Sequence, residues 1–300
     1  MDINDNQDAL QPGAQEALAN EGAQLFSRAK GEDPTYRDCP GQQRGSPGKR
    51  EAGEAVHVPE TPGGGSVCAV YSIAGGAGKS TLCANLSKTL SALGEQILLL
   101  DASHRGFLPF HFGANEQRTG VRRFRAPGAS GRSVDIVTAE QVTSDWVAAE
   151  VRSAISSSQR IVIDLESSCE TMLSTILPLC SLLLIPLLTD LNSILTIPGL
   201  QRSTAARTPA VFYILNCFDA RSANDQRVRE MVTQECGSQL LPITLRHSRE
   251  LREALHAGIA AADHDPGPEL GYDYLELALW LRRAAPLGAA RVLPSRWSEQ

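Results

Sequence analysis

The chain has 300 residues, 28 Lys and Arg against 34 Asp and Glu, and a formal net charge of −6. That length suits one large α/β domain or two small ones, and 42% hydrophobic residues provides for a sizeable core. The acidic balance argues against nonspecific nucleic-acid binding, which needs many cationic contacts to phosphate; seven cysteines with no Cys-x-x-Cys pair argue against a zinc site and read as small buried hydrophobes in a reducing compartment.

Residues 1–65 are rich in Gly, Pro, Gln, Asp and Glu and poor in bulky apolar groups. They cannot offset the entropy of ordering, so a disordered N-terminal extension is expected. Within it, 14–30 carries Leu18, Leu25 and Phe26 on roughly one side, the pattern of a short helix that is either transient or a partner-docking peptide. The remainder to residue 65 has the composition of a linker. No charged-then-apolar leader opens the sequence, and the most apolar run, Leu182 to Leu188, is too short to span a bilayer, so a cytoplasmic location is expected.

An apolar segment, Val67 to Ile73, then leads into Gly75-Gly76-Ala77-Gly78-Lys79-Ser80-Thr81, and Leu82, Leu86, Leu90 and Leu93 follow at helical spacing. Strand, glycine turn and helix is the context phosphate cradling requires. Glycines let the backbone curl so that its N–H groups point inward, and the helix dipole adds to the attraction. Lys79 would reach the terminal phosphates and the Ser80 hydroxyl would ligate magnesium.

Gln96 to Leu100 forms a second apolar run, after the turn at Gly94, and ends at Asp101. Ligands of open parallel sheets collect beyond the carboxyl ends of strands, so Asp101 is either near the nucleotide or a strand-end turn residue. Residues 104–132, with Arg105, Arg118, Arg122, Arg123, Arg125 and Arg132 among glycines, read as an irregular switch region, either solvated or facing phosphates or an acidic partner. Val134–Val137 predicts a strand, and Trp146 or Val147, Val151, Ala154 and Ile155 give the next helix an apolar face. Arg160 to Asp164 is again an apolar strand ending in a carboxylate, the Walker B arrangement for orienting magnesium or its water. Glu166 beyond it is either a second water-orienting carboxylate or a plain loop residue.

Further strands are predicted at Leu182–Leu187 and Val211–Asn216, separated by a helix that Pro198 and Gly199 terminate. A last strand, Gln239–Ile243, leads into a segment whose Arg246, Arg249 and Arg252 read equally as a solvated helix face or as ligand contacts, with His247 and His256 exposed. Tyr274, Leu275, Ala278, Leu279 and Trp280 mark a closing helix on the core. A flexible tail, 286–300, contains Pro294, which makes it a poor membrane-surface helix, so direct membrane binding is not expected.

The order strand, P-loop, helix, strand-Asp, strand-Asp, strand-Asn gives an α/β fold with a mostly parallel twisted sheet and helices on both faces. The loop has Ile73 where the usual pattern has its first glycine, and Gly75 to Thr81 closely resembles the deviant Walker A loop of the MinD/ParA group of P-loop ATPases. The resemblance covers 66 to about 283, one ATPase domain at 66–285. It implies ATP and Mg2+ as cofactors, Lys79, Asp101 and Asp164 as the catalytic set, and Ser80, Asp101 and Asp164 around the metal. Gly75 to Thr81 would hold the phosphates, and Asn216 would read the adenine edge with an amide that both donates and accepts. The group also has a second lysine where this chain has Ala74, and a second aspartate where it has Ser103. Both departures imply a slow, ATP-held dimerisation switch rather than a fast enzyme. Finer features, Leu93-Gly94-Glu95, Leu108-Pro109-Phe110, Ile163-Asp164-Leu165 and Leu240-Leu241-Pro242 leading to Arg246-His247, resemble the branch found in cellulose-biosynthesis operons. That branch implies an ATP-dependent homodimer whose partners are components of the inner-membrane cellulose synthase complex. A partition or division-site ATPase and a nucleotide-binding scaffold without hydrolysis are the other two readings.

Overall fold

The computed structural model describes residues 56–58, 66–114, 116–125, 133–157, 159–167, 170–205, 209–248, 251, 253, 268–287 and 291–293. The expected helix at 14–30, and Arg132, Arg249, Arg252 and His256, lie outside the described residues. A short strand β1 (Val56–Val58) precedes the main domain. The domain's strands are β2 (Ser66–Val70), β3 (Ile97–Ala102), β4 (Gly120–Arg125), β5 (Ser133–Thr138), β6 (Arg160–Leu165), β7 (Leu182–Leu187), β8 (Ala210–Phe218) and β9 (Leu240–Arg246). They form one eight-stranded sheet in the order β4-β5-β3-β6-β2-β7-β8-β9. Only β4 runs antiparallel to its neighbour.

The helices are α1 (Lys79–Ala92), α2 (Ser144–Ala154), α3 (Glu170–Ile176), α4 (Leu191–Thr204), α5 (Ala223–Cys236) and α6 (Pro268–Ala284). Central strands are apolar on both faces because both faces are covered. Val67 and Ala69, Leu98 and Leu100, Ile161 and Ile163, and Leu183 and Ile185 pack with Val147, Val151, Leu173, Ile197 and Val228 of α2 to α5. The alternate residues Cys68 and Val70, Ile97 and Leu99, Val162, and Leu182 and Leu184 pack with Leu82, Leu86 and Leu90 of α1 and Leu277 and Leu281 of α6. Each fully buried Leu, Ile or Val stabilises the fold by roughly 1.5–3 kcal/mol, so these two layers dominate its stability. At the end of the sheet away from the P-loop, the fully buried Arg160 donates to both Glu95 oxygens at 2.5 and 3.1 Å, to Ser66 Oγ and to the Ala285 carbonyl. Arg282 of α6 also pairs with Glu95 at 3.1 Å.

The expected strands appear within one to three residues of their sequence limits, but five other expectations are corrected. Pro198 and Gly199 do not end a helix: α4 runs through them to Thr204. Proline's fixed φ is helical and its missing N–H removes one hydrogen bond, while Ile194, Ile197, Pro198 and Leu200 are all buried, so packing outweighs the helix penalty. Leu279 of α6 is 41% exposed, with Leu277 and Leu281 taking the core positions. Residues 104–132 are not irregular throughout. They contain a 3-10 segment, Leu108–Phe112, and β4, whose Arg123 forms a two-point pair with Asp135 of β5 at 2.6 and 2.9 Å. Arg246 lies on β9 rather than on a solvated helix, and pairs with the buried Asp273 of α6 at 2.9 Å. Finally, β1 falls in the stretch expected to be disordered linker, and β10 (Arg291–Leu293) in the expected tail. The two pair antiparallel, Val56 opposite Leu293.

Candidate functional site

β2 lies between β6 and β7, so the chain departs from it to one side through β3 and later to the other through β7. That is a topological switch point, and the crevice beyond its carboxyl ends is where open α/β sheets bind ligands. The loop after β2 occupies it. Gly76 and Gly78 have φ of 76° and 84°, the left-handed region where a side chain is strained. A Cβ on Gly75 or Gly76 would meet nothing within 4 Å, so the loop is open there, whereas a Cβ on Gly78 would lie 2.3 Å from Asn216 Nδ2.

α1 starts directly from this loop with Gly78 as its N-cap and no side-chain cap. Elsewhere Thr143, Asp190 and Ser222 accept from the first-turn N–H groups of α2, α4 and α5. The uncapped N–H groups of α1, with the positive end of its dipole, suit an anion. Within that turn, Lys79 Nζ donates to Ser167 Oγ at 2.5 Å, and Ser80 Oγ donates to Asp164 Oδ2 at 2.5 Å. Thr81 contributes its carbonyl to Asn85 Nδ2.

Strand register sets the two aspartates side by side, Asp101 on β3 opposite Asp164 on β6. Both are about 1% exposed. Burial pushes the Asp164 carboxyl up to about 7; the Ser80 hydroxyl and Lys79 oppose that, and Asp101 and Glu166 add to it. Burial also raises Asp101, against hydrogen bonds from Ser103 and Leu108. Those bonds occupy both of its oxygens: Ser103 N at 3.1 Å and Ser103 Oγ at 2.6 Å donate to Oδ1, and Leu108 N at 3.0 Å donates to Oδ2. Asp101 therefore pins the loop after β3. Glu166 reaches over from the loop after β6, its Oε2 accepting from His104 N and pairing with His104 Nε2, each at 3.4 Å.

Asn216 comes from β8, where a bulge and a left-handed Cys217 (φ 56°) interrupt the pairing with β9. Val211, Tyr213 and Leu215 face the α2 to α5 layer, so Asn216 faces the α1 side. The extra residue then returns Phe218 to the α2 to α5 core. Thus aimed, Asn216 Nδ2 donates to the Ala77 carbonyl at 2.8 Å, and its Oδ1 accepts from Cys217 N at 3.0 Å. The amide expected at a purine edge is braced against the P-loop, with one amide hydrogen left over.

The structure thus brings together Gly75, Gly76, Ala77, Gly78, Lys79, Ser80, Asp101, Asp164 and Asn216. Sequence reasoning did not find Ser167 and His104, nor the bonding of Ser103 to Asp101. No local pattern marks them, because they reach the site only when the loops after β3 and β6 fold over α1. The donor set fits a magnesium nucleotide: an open loop of N–H groups, a lysine, and a hydroxyl on a carboxylate. Among the described residues no three or more His, Cys, Asp or Glu converge as a metal site by themselves. A magnesium held here would draw on phosphate oxygens, as that ion commonly does. A separate cavity of about 160 Å³, lined by Tyr71, Ile73, Leu173, Leu177 and Leu200, contains neither Lys79 nor Ser80 and is not the phosphate site.

The CobQ/CobB/MinD/ParA nucleotide binding domain matches residues 68–260. Among solved structures, MinD of Pyrococcus horikoshii OT3, a septum site-determining protein complexed with Mg-ADP, is 18% identical, with a TM-score of 0.59 over 72% of this chain and 96% of that one. The MinC:MinD cell division protein complex of Aquifex aeolicus is 18% identical, with a TM-score of 0.59 over 76% and 99%. Cobyrinic acid a,c-diamide synthase of Mycobacterium smegmatis, with a bound ATP analog and magnesium, is 15% identical, with a TM-score of 0.56 over 74% and 98%. At these identities the likeness concerns the fold. Among curated protein sequences none matches.

Proposed function

Because the chain belongs to the CobQ/CobB/MinD/ParA nucleotide-binding domain family, we propose that it binds Mg-ATP at the loop Gly75–Thr81 and works as a slowly hydrolysing, ATP-dependent dimerisation switch. The observation that carries this reading is Ser80 Oγ on Asp164 Oδ2 at 2.5 Å, directly beside Lys79 at the uncapped start of α1. Gly75 to Gly78 and the N–H groups of Lys79, Ser80 and Thr81 wrap the phosphates. The Lys79 ammonium exchanges Ser167 for phosphate oxygens and neutralises their charge. Ser80 and Asp164 would hold the metal, which would offset phosphate charge there when bound. Asp101 fixes the loop 103–108 that closes the site, and Asn216 braces the P-loop and offers its remaining amide hydrogen to the base.

The finer role rests on the resemblance to the cellulose-biosynthesis branch. In that role the protein acts in the cytoplasm, and its ATP-bound dimer presents a surface to components of the inner-membrane cellulose synthase complex. Ala74 and Ser103, in place of a lysine and an aspartate, support a long-lived ATP state. The solved relatives named for cell division support a positioning role as the second reading.

Purified protein and its Lys79→Ala variant, assayed for phosphate release with Mg-ATP, test the nucleotide reading. Faster release by the unaltered protein is expected, and equal rates would overturn hydrolysis at this loop. A chromosomal Lys79→Ala replacement scored for secreted cellulose tests the finer role, which fails if cellulose output is unchanged.

A further inference from the structure

The loop after β3 lacks the carboxylate that the family resemblance places at Ser103, and the structure shows why Ser103 does not substitute for it. Its hydroxyl donates to Asp101 Oδ1 at 2.6 Å, and its N–H to the same oxygen. Asp101 is consumed in turn, with three donors on two oxygens and 1% exposure. Asp164 is equally buried and accepts from Ser80. Of the three carboxylates that act electrostatically on one another here, Glu166 alone reaches solvent, its side chain 26% exposed. It lies on the loop that contacts Lys79, since the next residue, Ser167, accepts from Lys79 Nζ at 2.5 Å and its carbonyl accepts from Tyr71 Oη at 3.3 Å. His104, from the loop that Asp101 pins, holds the Glu166 carboxylate by its N–H and its Nε2.

We infer that Glu166, oriented by His104, is the residue that positions the attacking water, taking the task that Ser103 cannot perform. The assignment rests on the proposed Mg-ATP reading of the site. In the step itself the water oxygen forms a bond to the terminal phosphorus. The bond from that phosphorus to the bridging oxygen breaks, and its electron pair stays on ADP. One water proton passes to the Glu166 carboxylate and then to solvent, while the other stays on the phosphate product. A carboxylate in this place supplies the water-orienting group that the loop after β3 lacks. His104 is a positioning residue, acting only through Glu166.

The test uses the full chain and four proteins: unaltered, Lys79→Ala, Glu166→Gln, and Glu166→Gln with Ser103→Asp. Phosphate release is measured with Mg-ATP, and affinity and dissociation rate with a fluorescent N-methylanthraniloyl ATP. Loss of a water-orienting base lowers release by about 100-fold. In Glu166→Gln, nucleotide affinity should stay within about twofold of the unaltered protein, because the phosphate cradle is untouched. The added carboxylate at 103 should restore part of the rate. Glu166→Gln at the unaltered rate would overturn the assignment, as would a loss of nucleotide affinity that parallels the loss of rate. An unaltered protein no faster than Lys79→Ala would instead overturn the hydrolytic reading itself, and this assignment with it.

Discussion

Asp164→Asn gives the sharpest check on the electrostatics of the site. The carboxyl is 1% exposed, and burial lifts it from 3.8 to about 7. A folded pKa above the unfolded one gives a contribution to stability that is complete below about pH 4 and is lost as pH rises through about 7. At about 1.36 kcal/mol per pH unit, forcing the buried group to ionise costs the nucleotide-free protein about 4 kcal/mol across that window. Relaxation around a buried charge makes about 2–4 kcal/mol the working range. Asparagine is neutral and keeps an acceptor for the Ser80 hydroxyl, so the variant escapes this loss. For a domain of this size that is a Tm advantage of about 5–15 °C at pH 8, shrinking to about two-fifths of that near pH 5 and to zero below about pH 4. Thermal unfolding followed by intrinsic fluorescence in EDTA, at steps from about pH 5 to about pH 8.5, measures it. A Tm difference that does not change with pH would refute the burial argument. Mg-ATP should raise the Tm of the unaltered protein at pH 8 by more than that of the variant, which keeps the phosphate loop but lacks the carboxylate beside Ser80, since binding stabilises the state that binds.

Gly78→Ala should destabilise the fold by about 1–3 kcal/mol in urea and weaken nucleotide binding, because it combines a left-handed φ with a Cβ 2.3 Å from Asn216 Nδ2. Breaking the buried pair with Arg160→Leu leaves Glu95 facing only the half-exposed Arg282, and should cost about 3–5 kcal/mol by urea midpoint. The double variant with Glu95→Leu should recover much of that loss, and a double variant as unstable as the single one would contradict the unpaired-charge explanation.

The layers of the fold were legible because apolar runs of five or six residues ending in Asp101, Asp164 or Asn216 fix strand positions, and leucines at helical spacing fix α1. The phosphate loop was legible too, since its glycines are needed for a backbone shape that residue type alone nearly dictates. Pro198 misled for the opposite reason. Its local preference is real, but burial among Ile194, Ile197 and Leu200 exceeds it, and burial is invisible in a linear pattern. The same holds for Leu279, whose exposure depends on how α6 is rotated on the sheet.

The sequence by itself determined that a nucleotide-type loop sits between a strand and a helix, with two strand-end carboxylates and an asparagine to follow. Only the tertiary structure decided what those groups touch. Register placed Asp101 beside Asp164, a bulge at Cys217 aimed Asn216 under the P-loop, and two folded-over loops brought Ser167 to Lys79 and His104 to Glu166. The physical reason is range. Glycine turns and apolar periodicity act between neighbours in the chain, whereas hydrogen bonds spanning 62 to 139 residues exist only once the sheet has ordered its strands.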